Sequence, residues 1–152
     1  MKKAYKILAF LIALEVVVQA AVIAWGVFGL MTWVDEGHSF TEDIADCEDC
    51  FDAQLGMVIH SFNGFIVISA LALIFLIVSF FAKIPGGVKW AVITFVLVIL
   101  QGHLLPGLAS EVGSGFGAVH GLNAMVLFGV AVMAGKRVKT ATAATSEVPA
   151  AV

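Results

Sequence analysis

Three histidines, His60, His103 and His120, sit inside long apolar runs. An ionisable side chain is costly to place in hydrocarbon, so such residues face the interior of a bundle and often mark a site. Imidazole suits several chemistries there: it ligates metals, holds a haem iron axially and passes protons. Few other polar residues interrupt these runs. Glu15 and Gln19 stand one helical turn apart on one face, Asn63 follows His60, Gln101 precedes His103, and Asn123 follows His120. Counted from the ends of their runs at about 1.5 Å per residue, the three histidines share one depth, roughly 7 to 10 Å inside the boundary. A single buried histidine is ordinarily an interhelical hydrogen-bonding group worth about 0.6 to 2 kcal/mol. Three at one level predict a site for a metal, a haem or a proton path.

The elements that must position them are membrane spans. Of 152 residues, 61% are hydrophobic and 12% charged, with a mean hydropathy of +1.06. Soluble domains carry about a quarter of their residues as charged types. In lipid each backbone donor and acceptor must be satisfied within its own segment, and the runs lack the period-two alternation of a barrel. The expected fold is therefore all-α: an up-down-up-down four-helix integral membrane bundle over residues 1–139. Its spans are expected at 7–34, 54–82, 88–108 and 115–135, each near the 20 or so apolar residues that cross a bilayer. An acidic loop, 35–53, follows the first span. Pro85, Gly86 and Gly87 mark the second connection and a Gly/Ser turn at 109–114 the third. The Ala/Thr-rich tail, 140–152, shows no periodicity and is expected to be disordered.

Basic residues set the orientation, because Lys and Arg near span ends stay on the cytoplasmic side. Lys2, Lys3, Lys6, Lys83, Lys89, Lys136, Arg137 and Lys139 all fall at one end, whereas Asp35, Glu36, the acidic loop and Glu111 fall at the other. Both termini are expected in the cytoplasm of a multi-pass plasma-membrane protein, with loops 35–53 and 109–114 outside. The first run is too long for the h-region of a signal peptide and continues through Trp25, Phe28, Met31 and Trp33. Lipid is the expected surroundings, a homo-oligomer or respiratory-complex subunit the expected kind of partner, and nucleic acid is not expected.

His60-Ser61-Phe62-Asn63-Gly64 and His120-Gly121-Leu122-Asn123-Ala124 share a His-x-x-Asn-small pattern, and Gln19 has a counterpart in Gln101. The chain reads as two tandem hairpins, a repeat that places a site at their interface. In a square bundle the second and fourth spans are diagonal, so His60 and His120 are expected to face each other, an arrangement suited to a planar cofactor gripped from both faces. A zinc ion usually wants four ligands, and no thiolate or carboxylate shares this depth. Gly64, Gly102, Gly107, Gly117 and Gly121 lie near the histidines. They suit either the approach of a macrocycle or close helix packing. Cys47 and Cys50 lie in the acidic loop, where a local disulfide or a reactive dithiol is open; the acidic neighbours raise thiol pKa values and disfavour a thiolate.

This plan of a loop cysteine pair, a histidine in the outer part of the second span, Leu100-Gln101 in the third and a histidine early in the fourth resembles one four-helix half of the haem A synthase family. Those membrane enzymes oxidise a haem methyl group. Small four-helix membrane proteins with His-x-x-Asn-Ala in the fourth span are similar in layout. The resemblance covers Gln19 to about Gly135. It implies axial haem ligation by His60 and His120 and a loop disulfide between Cys47 and Cys50. Where the enzymes carry a glutamate before the first histidine and an arginine after it, this chain has Met57 and Ser61. Enzymatic activity is therefore left open, with an oxidoreductase expected if there is one.

The leading expectation is a bis-histidine b-type haem protein in electron transfer or haem handling. His103, Gln101, Asn63 and Asn123 would then support the haem or its ligands, and Glu15 with Gln19 would handle protons or form an interhelical bond. Two alternatives stand beside it: an accessory or assembly subunit without cofactor, and a small transporter or proton conductor.

Overall fold

The computed structural model describes residues 1–39, 50–51 and 53–146, the stretch 139–146 as backbone only. The described residues form four long helices and no strand: α1 (Lys2–Asp35), α2 (Gln54–Ala82), α3 (Gly87–Glu111) and α4 (Gly115–Ser146). All four are long and apolar enough to cross a membrane. Their outward surfaces carry large apolar side chains, among them Phe28, Phe80, Phe81, Leu122 and Met125. Such surfaces belong in lipid, and the chain is a multi-pass membrane protein.

Each helix packs on its chain neighbours and α1 packs on α4, which closes a four-membered ring with α2 and α4 on one diagonal. At one end Tyr5 is fully buried and donates its hydroxyl hydrogen to the Gly87 carbonyl at 3.0 Å. Arg137 there stacks over Trp90 at 4.9 Å and reaches the Pro85 carbonyl at 3.4 Å. The start of α1, the α2–α3 turn and the far half of α4 thus meet at one end, and the lysines and Arg137 collect there. The turn itself uses left-handed backbone at Lys83 (φ 51°) and Gly86 (φ 69°).

The packed apolar core fills this basic half, with Tyr5, Ile12, Phe75, Val98 and Leu127 fully or almost fully buried. Toward the acidic end α1 instead hugs α2. A Cβ on Gly26 would come within 2.7 Å of Met57 Cγ, and one on Gly56 within 2.5 Å of the Val22 carbonyl oxygen. Only glycine allows these backbones so close.

Two helices contain a wide π turn, at Asn63–Val67 in α2 and Leu100–Leu104 in α3. In α2 the turn has a phasing role. Gly56, His60 and Asn63 form one inward stripe and Ile68, Ala72, Phe75 and Ser79 another. Ile68 stands five residues after Asn63, where a step of four would keep a regular helix in phase. The wide turn absorbs the extra residue, and the Ile68 N–H bonds to the Asn63 carbonyl. In α3 the turn precedes Pro106, which has no N–H for the carbonyl four residues earlier and whose ring would crowd it.

α4 continues in helical conformation to Ser146, so the first residues of the tail expected to be disordered are helical. The acidic stretch 40–49, with Cys47, lies outside the described residues, as do Asp52 and 147–152. The expected Cys47–Cys50 pairing lies there too.

Candidate functional site

The diagonal geometry brings two of the three histidines together. His60 on α2 and His120 on α4 have ring centroids 6.2 Å apart with planes inclined by 63°. Nδ1 of His60 lies 3.3 Å from the Gln19 backbone carbonyl of α1. A carbonyl only accepts, so Nδ1 carries the hydrogen and Nε2 keeps the lone pair. On the other side the Gln101 side-chain amide donates to Nε2 of His120 at 2.9 Å. His120 Nδ1 is buried without a hydrogen-bond partner among the described residues, and so are both side-chain atoms of Gln19. Buried polar groups of this kind are uncommon in a native bundle and point to an interaction with something else.

The two asparagines work between helices. Asn63 donates to Glu15 Oε2 at 2.7 Å. Asn123 donates to the Leu97 carbonyl at 3.0 Å and to Gln101 Oε1 at 2.6 Å. The sequence echo is thereby a spatial one. Glu15 precedes Gln19 by four residues and Leu97 precedes Gln101 by four, and in each hairpin the asparagine bonds to the first position and the histidine to the second.

The remaining candidates are placed as follows. His103 does not join the other two: it is exposed, bonds Ser69 Oγ at 3.1 Å and packs on Phe65 at 4.2 Å, on the outer side of the α2–α3 pair. Its partners stand five and nine residues past His60 on α2, so it lies deeper than the imidazole pair, and its place in the wide turn of α3 turns it away from the centre. Asn63 supports Glu15 rather than an imidazole. Gly64 and Gly102 serve packing, since a Cβ on Gly102 would meet the Gly64 carbonyl at 3.2 Å. Gly107, Gly117 and Gly121 are different, with nothing within 4 Å of a Cβ placed there. Met57 is likewise a packing residue, against Gly26, and Ser61 is exposed. The wide turns were not legible in advance, because a uniformly apolar run shows no change of phase.

Among the described residues no group of three or more His, Cys, Asp and Glu is placed to hold a metal ion. A haem brings four nitrogens of its own and asks the protein for at most two. Two metal–imidazole bonds of about 2 Å, with the two ring radii added, span roughly 6 Å, close to the separation observed here. His60 could ligate through Nε2. His120 could do so once Gln101 releases its Nε2, because while Nε2 accepts that hydrogen bond the ring hydrogen sits on Nδ1. Comparison with protein-family models, curated proteins and solved structures returned no match.

Proposed function

We propose that this chain is a membrane-embedded b-type haem protein in which His60 and His120 are the axial ligands, serving electron transfer or haem handling. The observation that carries this reading is the imidazole pair, brought from diagonal helices to 6.2 Å. Bound there, a haem would supply one-electron chemistry, with both histidines engaged in holding it. The chain's own residues do the rest. The Gln19 carbonyl orients His60, Asn123 holds the Gln101 side chain beside His120, and the apolar helices exclude water.

The distribution of charge supports a plasma-membrane orientation with both termini in the cytoplasm and loops 35–53 and 109–114 outside. The likeness to the haem A synthase half supports the same ligands. Met57 and Ser61 speak for haem binding without that enzyme's oxidation, and a Cys47–Cys50 disulfide belongs to this reading.

A second reading, an accessory subunit whose polar residues only join its helices, draws on the interhelical bonds Asn63–Glu15 and Asn123–Gln101. Haem titration of the detergent-purified protein separates the two. His60→Ala and His120→Ala are each expected to abolish six-coordinate haem, and His103→Ala to leave it intact. Equal loss in all three variants, or in none, would contradict the ligand assignment.

A further inference from the structure

Resting on the haem reading, we propose that the haem reaches the His60–His120 pair from the lipid, through a slot between α1 and α4. Its walls are Ala20 and Ala24 on one helix and Gly117 and Gly121 on the other. The two helices touch in the basic half, where a Cβ on Gly135 would lie 2.9 Å from the Phe10 ring. Gly117 stands 18 residues before Gly135, five helical turns, and so lies on that same α1-facing side; Gly121 is beside it. Yet nothing lies within 4 Å of a Cβ at either glycine.

The opposite wall agrees. Val17 and Ala24 follow Phe10 at seven-residue steps, which keeps them on the α4-facing side of α1, and both are exposed together with Ala20. The buried positions of α1 in this half are instead Gln19 and Gly26, on the side turned to α2. Going toward the acidic end, α1 therefore leaves α4 for α2, and a slot opens whose walls carry hydrogens and methyl groups.

One further group points to an occupant. His120 Nδ1, one residue from the wall glycine Gly121, is buried without a hydrogen-bond partner among the described residues. A flat apolar ring with polar atoms at its centre matches small, apolar walls that lead to the imidazole pair. Access from the bilayer also suits a ligand that partitions into lipid.

The test fills the slot from both sides. Gly117→Leu, Gly121→Leu and Ala24→Phe are expected to lower haem occupancy roughly tenfold each, the effect of overfilling a fitted space. Gly107→Leu, at an equally open glycine on α3, is expected to keep it. The apoprotein melting temperature should hold or rise in the leucine variants, since leucine favours helix over glycine and meets no neighbour there. Haem retained in all three slot variants overturns the proposal, as does equal loss in Gly107→Leu. A change in oligomer size with unchanged haem content overturns it too, because a second copy would then be the occupant. A wild-type protein that binds no haem overturns the underlying reading and this proposal together.

Discussion

Asn123 bridges two elements by donating to both the Leu97 carbonyl and Gln101 Oε1, and it thereby holds the amide that faces His120. Interhelical hydrogen bonds in membrane bundles contribute about 0.6 to 2 kcal/mol, so Asn123→Leu is expected to lower stability by roughly 1 kcal/mol, read by denaturant titration in mild detergent. An unchanged midpoint would mean that the bond is not made. At this scale the residue types were legible, because polar side chains stand out in an apolar run. Their directions were legible only in part. His60 and His120 follow from the diagonal of a square bundle. His103 does not, because a wide turn beneath Pro106 alters the phase of α3 and turns it toward Ser69 and Phe65. The partners of Asn63 and Gln19 depend on the relative rotation of α1 and α2, which no spacing within one helix records.

Among the elements, α2 shows most clearly how a local irregularity serves the centre. Its basic-half stripe and its histidine stripe share one face only because the turn Asn63–Val67 takes up an extra residue. Deleting Ile66 leaves Asn63 and Ile68 four residues apart, so a regular helix keeps both stripes on one face, whereas inserting an alanine after Ile66 adds a second extra residue and rotates everything before it by about 100° relative to the anchored core. The expected outcome is haem binding kept in the deletion and lost in a still helical insertion variant, checked by circular dichroism beside haem titration. Haem binding retained in the insertion variant would show that the turn has no phasing role. The ends of helix α2 coincide with the limits read from hydropathy. The extension of α4 to Ser146 was not legible, since its alanines and threonines fall outside any apolar period.

The whole molecule divides into two halves of different character. The basic half is a packed core closed by Tyr5 and Arg137. The acidic half holds α1 close to α2 through glycines, while a Cβ on Gly117 or Gly121 of α4 would meet nothing within 4 Å. A protein that only needed to stand in a membrane would gain by packing both halves alike, because dispersion contacts drive helix association in lipid. The imidazole pair lies in the looser half, and this division ties the fold to its proposed use. The most direct test is the absorption spectrum of the detergent-purified chain expressed with haem supply, oxidised and then reduced with dithionite, with haem quantified as its pyridine complex. The expected result is one low-spin six-coordinate haem per chain, or per assembly if copies share it, that is reducible and lost in His60→Ala. A colourless protein, or a haem whose spectrum is indifferent to both His60→Ala and His120→Ala, would contradict the account.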